Sequence, residues 1–273
     1  MVATTAMLLL ALLLGWAAFQ VLALGGLSHA RAQHVLYGQL RGELAAQTAP
    51  TGGVIEPGSP VALLTIPTLG LTEVVVEGTA SGDLRSGPGH RRDTVLPGQQ
   101  GVSIVYGRAA TYGAPFKQVA TLRPGDGLAV TTANGEFVYR VDGVRREGDA
   151  LPGALAPGGA RITLVTAEGD GPFAAIAPSR TVYVDATLVG DAAVGDGGRP
   201  SSVPDSERAL AADPAVLPVL VLCLQGLLLA AIATTLALAR MPRRVVWVLA
   251  APIVVALAWA STDAAVQLLP NLL

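Results

Sequence analysis

The chain has 273 residues, 51% hydrophobic and only 14% charged, with a mean hydropathy of +0.52, too apolar for a single soluble domain. A net charge of −2, from 18 Lys+Arg against 20 Asp+Glu, gives no basic face for phosphates and argues against a nucleic-acid partner. One cysteine excludes an internal disulfide, and His29, His34 and His90 lack zinc-ligand spacing, so neither a metal nor another cofactor is expected.

Taken in chain order, Ala6–Leu27 is free of charge and long enough to cross a bilayer, which needs ~20 residues. It lacks the basic start of a signal peptide, so it reads as a transmembrane anchor. Val35, Leu36, Leu40 and Leu44 recur at helical spacing and extend that helix as a stalk, giving a first unit of residues 1–46. Residues 47–60 read as a linker. Seven β-branched or aromatic runs then predict strands: Val61–Ile66, Thr72–Glu77, Val102–Tyr106, Gly127–Thr132, Glu136–Asp142, Ile162–Val165 and Thr181–Leu188. Asn134-Gly135 predicts a type I′ hairpin between two of them, because both central positions of that turn need positive φ. Short helical pieces are expected at Phe116–Thr121 and near Ser81–Leu84. A mainly β domain, closed or sandwiched, follows for residues 61–190.

Residues 191–213, rich in Gly, Pro, Ser and Asp, read as a second linker. Ala215–Ala239 and Val245–Thr262 form a transmembrane helical hairpin within residues 214–269, with Trp247 and Trp259 near the membrane interfaces. Its turn holds Arg240, Arg243 and Arg244, and positive charge beside a span favours the cytoplasm. The N-terminus is then cytoplasmic and residues 28–212, with 14 Arg, one Lys and 18 acids, extracytoplasmic. Arg31 and Arg41 argue the other way, but a short arginine-dense turn is the stronger signal. Gly226, Ala230, Ala231 and Ala233 offer small side chains for packing, either between the two helices or against a membrane-protein partner.

The chemistry available outside the membrane is narrow. Cys223 lies within the second apolar run and reads as a small buried or lipid-facing hydrophobe. Hydroxyls need a base, yet the β-domain has a single histidine, His90, and no G-x-S-x-G turn. The carboxylate pairs Glu147/Asp149 and Glu168/Asp170 lie in glycine-rich turns and read as solvated surface.

Read together, Ile66-Pro67-Thr68-Leu69-Gly70-Leu71, Val76-Glu77-Gly78-Thr79, Gly87-Pro88-Gly89-His90, Leu96-Pro97-Gly98, Tyr112-Gly113-Ala114-Pro115-Phe116 and Thr163-Leu164-Val165-Thr166 resemble, in this order, an actinobacterial sortase of class E. The resemblance covers about residues 60–188 and implies an eight-stranded closed β-barrel on the outer face of a Gram-positive cell. It also implies transpeptidation of a C-terminal sorting signal by a cysteine, a histidine and an arginine. The cysteine position is Ala167, the histidine position is Arg108, and the arginine is retained as Arg180. His90 matches an additional element of the family and reads as structural.

The implied protein is a membrane-anchored, catalytically degenerate sortase that binds rather than cuts. Arg108, Thr166 and Arg180 are its candidate peptide-binding residues, the two arginines holding a carboxylate across the space left by Ala167. Its expected partners are the membrane, a sorting-signal-like peptide, and a membrane protein met through the hairpin. One alternative is an active transpeptidase or peptidase with a hydroxyl nucleophile, Thr166 or Thr163. The other is a structural subunit of a larger membrane complex, with the β-domain a spacer.

Overall fold

The structure, a computed structural model, describes residues 15–16, 19–170 and 178–273. It divides into two compact units: residues 1–21 with 213–269, and residues 22–212 with 270–273. Half of the expected first span, Ala6–Leu27, lies outside the described residues.

The larger unit begins with α1 (Gly25–Ala46), the helix expected from the apolar spacing. Gln47 closes it in the left-handed region (φ 56°), its N–H reaching back to the carbonyls of Glu43 and Leu44. The helix is not a free stalk. Leu36 and Leu40, one turn apart, are buried on Val74 and Val76. The Gln33 side chain accepts from Val74 N (2.6 Å) and donates to the carbonyls of Val74 (3.0 Å) and Ser86 (2.8 Å).

Eight strands follow: β1 (Pro60–Ile66), β2 (Leu71–Glu77), β3 (Gly89–His90), β4 (Gly101–Tyr106), β5 (Gly127–Thr132), β6 (Gly135–Arg146), β7 (Ala160–Glu168) and β8 (Arg180–Leu188). They close into a barrel in the order β1-β2-β3-β4-β7-β8-β6-β5, parallel at β2–β3 and β4–β7 and antiparallel elsewhere. Every strand expected from composition is present. The unexpected one is β3, whose two residues are too short to show a pattern. It exists because Gly89 passes so close to the Gly78 carbonyl that a Cβ there would overlap it.

Two expectations are corrected. The β5–β6 hairpin pairs Thr132 with Gly135, so Ala133 and Asn134 form the turn and only Gly135 has positive φ (125°). It is therefore not a type I′ turn on Asn134-Gly135. Strand β6 also runs past Asp142, which is the extra residue at a register shift between Val141 and Gly143, after which Gly143 pairs with Asp185.

Alternate residues of β5 to β8, among them Leu128, Val130, Tyr139, Ile162, Leu164 and Val184, point inward and form the core. Phe116, Val119 and Leu122 of the β4–β5 connection join them, and each such burial contributes about 1.5–3 kcal/mol. The glycine- and proline-rich stretch 191–213 is strapped to the barrel. Gln99 bridges to Ala193, and Glu207 pairs with Arg92. The buried Glu77 carboxylate pairs with Arg199 on one side and His90 on the other (2.9 Å).

The smaller unit holds α2 (Leu217–Leu238) and α3 (Arg243–Val266), both long and apolar enough to cross a membrane. They pack on each other: a Cβ at Gly226 would stand 3.2 Å from Leu257, and Ala230 and Ala233 face Ala250 and Ile253 across an apolar cleft of about 210 Å³. Cys223 is a free thiol on α2. Gln20 donates to the Trp259 carbonyl (3.2 Å) and to Asp263 (3.3 Å).

Candidate functional site

Strands β4 and β7 run parallel, pairing Tyr106 with Val165, and Gly107 N donates to the Val165 carbonyl (2.9 Å). That register brings Arg108, on the exit from β4, level with Ala167 near the end of β7. Gly107 is needed at this step because the Phe116 ring lies on it where any side chain would begin. Thr166 Oγ1 donates to the Gly107 carbonyl (3.0 Å), clamping the two strand ends. Thr166 is 2% exposed and its hydroxyl is satisfied by a carbonyl, which cannot act as its base.

Arg108 is fully buried. Its Nη2 donates to the Ser81 carbonyl (2.7 Å) and hydroxyl (2.9 Å), its Nη1 to Thr111 Oγ1 (3.0 Å) and the Leu273 carbonyl (3.2 Å), and its guanidinium lies 5.2 Å from the Tyr112 ring centre. Among the described residues its hydrogen-bond partners are hydroxyls and main-chain oxygens, with no Asp or Glu side chain. Burial is the main reason its pKa falls to about 10; nearby Arg85 adds to the fall and Tyr112 opposes it. It remains a cation at neutral pH and offers no proton shuttle.

Ala167 faces away from the barrel core and packs in an apolar cluster with Leu84, Tyr106, Val165 and Leu272. Its opposite number on β8 is Thr181, whereas Arg180 is opposite Glu168. The Arg180 guanidinium binds Asp170 (2.6 Å) and stands 3.7 Å from Glu168. Glu168 also receives Arg146 (2.6 Å), the hydrogen bond that holds its carboxyl below the usual range. Arg108 and Arg180 therefore share no partner, and the arrangement they make is a buried cation beside an exposed ion-paired one.

Further along the same outward face, Ile104, Tyr106, Thr163, Val165, Tyr183 and Asp185 floor a groove of about 310 Å³ walled by Leu151 and Pro152. Arg91, Arg145 and Arg161 line it, and Asp185 supplies its carboxylate. Asp185 accepts from Thr163 Oγ1 (2.7 Å) and Arg145 Nε (2.6 Å). Both oxygens of that carboxylate are thus engaged, one by the Thr163 hydroxyl and the other by Arg145. The sequence reading missed Arg145, Arg161 and Asp185; stepping by two along β7 from Ala167 would have put Thr163 and Arg161 on this face.

His90 is elsewhere, its ring nitrogens engaged by Glu77 and by the Val95 carbonyl (2.9 Å each), a structural role. Among the described residues no group of His, Cys, Asp and Glu is arranged to hold a metal.

A family model described as the sortase domain matches residues 64–189. This stretch is a sortase domain. Sortase D of Bacillus subtilis is 33% identical over 86 residues, which is 32% of this chain and 42% of that protein. Sortase SrtE1 of Streptomyces coelicolor is 33% identical over 96 residues, 33% of this chain and 27% of that protein. The chain thus spans less than half the length of these curated relatives. Among solved structures, sortase E of Streptomyces avermitilis matches at 28% identity and a TM-score of 0.40, covering 56% of this chain and 100% of its own. A Clostridium perfringens sortase D5 transpeptidase matches at 21% identity and a TM-score of 0.46, covering 60% and 99%. Sortases are transpeptidases, and the closed eight-stranded barrel is their fold.

Proposed function

We propose that this protein is a membrane-anchored sortase-fold module of the Gram-positive cell envelope, of actinobacterial type, that holds a peptide without cutting it. The observation that carries this reading is the pair at the strand ends: a methyl group at position 167 and a fully buried guanidinium at position 108, where the family's thiol and imidazole would stand. No acyl-enzyme can form on Ala167, and a cation held by hydroxyls and main-chain oxygens is suited to binding peptide carbonyls. Arg180 stands at the rim and can meet a carboxylate only by leaving Asp170. The polar groove over Thr163 and Asp185 takes the rest of the peptide.

The arginine-rich turn supports a cytoplasmic placement for Arg240–Arg244, with the barrel on the outer face. Residues 270–273 belong to the barrel unit. The apolar outer surfaces of α2 and α3, with Leu222, Leu229 and Val248 more than 60% exposed, suit lipid or a lateral membrane partner.

The test uses the full chain in detergent micelles, a pool of sorting-signal peptides and an amine acceptor, with intact mass and bound peptide both read. Retained peptide with no cleavage and no mass added to the protein is expected. Cleavage or an adduct would show catalysis, and the modified residue would identify the nucleophile.

A further inference from the structure

Residues Pro270–Leu273 follow the hairpin in sequence and are built into the barrel unit at the very position where catalysis is lost. Asn271 is fully buried; its amide donates to the carbonyls of Thr79 (2.8 Å) and Arg208 (2.9 Å), and its backbone N–H to the Ala211 carbonyl (2.9 Å). Leu272 is fully buried in the apolar cluster that contains Ala167, and its carbonyl accepts from Ala109 N (2.9 Å). The Leu273 carbonyl accepts from Arg108 Nη1 (3.2 Å) and from the Thr111 hydroxyl.

We infer that the peptide site beside Ala167 is a leucine-selective main-chain clamp whose resident occupant is this chain's own Pro270–Leu273. The clamp has three parts. Two successive carbonyls are met by three donors, Ala109 N, Arg108 and Thr111, all from the turn after β4. An apolar pocket formed with Ala167 takes the Leu272 side chain. Two main-chain carbonyls read the Asn271 amide, a pattern that a carboxylate in its place would not satisfy, because it has no N–H to donate.

The occupant explains the otherwise unfavourable chemistry of position 108. A guanidinium with no Asp or Glu side chain among its described hydrogen-bond partners is expensive to bury, and the bond to the Leu273 main-chain oxygen supplies part of its compensation. It also explains how a small residue at 167 is used: the methyl packs under Leu272 where a reacting peptide bond would otherwise need access. The clamp recognises an extended Asn-Leu-Leu segment, so a peptide of that chemistry in trans competes with the resident one. This inference rests on reading the site as one that binds without making bonds.

The test places a reporter thiol under the occupant. In a full chain carrying Cys223→Ser and Ala167→Cys, alkylation of residue 167 by a soluble maleimide is timed in micelles with residues 270–273 intact, with Leu272→Asp, and with the chain shortened to Leu269. Labelling about tenfold faster or more is expected in the second and third, because Leu272 no longer covers the thiol. Addition of the peptide Pro-Asn-Leu-Leu to the shortened chain should restore protection. Equal rates in all three chains would overturn the inference. Protection by the resident segment with none by the added peptide also defeats it, since the clamp would then not recognise this chemistry in trans.

A measurement on the unsubstituted chain guards against misfolded variants: the Ala109 amide should exchange slowly, and exchange at the rate of an open loop amide also overturns the inference. The non-catalytic reading is judged apart from this, by the mass of the natural chain after exposure to sorting-signal peptides. A chain that acylates there while the thiol at 167 is protected breaks that reading and leaves the occupant in place.

Discussion

Two arginines carry their guanidiniums into the barrel unit, Arg108 fully buried and Arg199 with its side chain 9% exposed, and they are held in opposite ways. Arg199 reaches the Glu77 carboxylate, which also receives His90, so a cation and an anion enter the interior together. Arg108 has no Asp or Glu side chain among its described hydrogen-bond partners, which are Ser81, Thr111 and the main-chain oxygen of Leu273. The first arrangement locks the segment around residue 199 onto β2 and needs nothing further. The second leaves a charge satisfied by groups that can be exchanged, which is what a binding site requires and a scaffold does not.

The comparison is broken most severely at Glu77. Glu77→Ala leaves Arg199 and His90 without their shared carboxylate inside the protein, and should cost about 3–5 kcal/mol, read as a large fall in the denaturation midpoint of the full chain in micelles. Gly107→Ala comes next, at about 1–3 kcal/mol, because the Phe116 ring has to move off the strand that carries Arg108. Its use is to separate position from charge: the displaced Arg108 should lose its hold on Leu273 even though the guanidinium is present, seen as faster amide exchange at Ala109. Arg108→Met is expected to change stability by only about 1 kcal/mol, since lost hydrogen bonds are offset by removing a buried charge. A fall as deep as that of Glu77→Ala would make Arg108 a scaffold residue like Arg199 and erase the distinction.

Much of this was legible in the sequence, and the parts that were not share a cause. Strands such as Gly127–Thr132 and Thr72–Glu77 announce themselves by β-branched residues within a single segment, and in Gly127–Thr132 burial also alternates along the strand. Ala167 and Arg108 could be singled out from the sequence only through the resemblance, which implies a cysteine and a histidine at those places. Where their side chains go was not legible. The partners of Arg180 and Arg108 are fixed by pairings between distant strands, and the pleat puts Arg180 beside Glu168 and Thr181 beside Ala167. The strapping of 191–213 was equally hidden. Its composition signals a linker, and single residues, Arg199 and Glu207, tie it down through long-range ion pairs that leave no local pattern. The same holds for Pro270–Leu273, four residues whose role depends on a turn more than 150 positions earlier.

The smallest effect expected sets Arg108 against a buried phenol in the same pH window. Tyr139 is buried in the core, where its hydroxyl accepts from Gly98 N (2.6 Å), and burial raises its pKa to about 12. Between about pH 10 and 12 the folded chain keeps a proton on Tyr139 that the unfolded chain has released, so this group makes stability fall as pH rises. Arg108 does the reverse. Its folded pKa, about 10, lies below the ordinary value of 12.5, so above pH 10 the folded chain releases a proton that the unfolded chain keeps, and stability rises with pH. The two slopes oppose each other in the natural chain. Denaturation midpoints measured from pH 9 to 12 should therefore fall more steeply in Arg108→Met and less steeply in Tyr139→Phe. An unchanged slope in Arg108→Met would mean that its charge is neutralised in the fold, as that of Arg199 is, and that the two arginines are held alike after all.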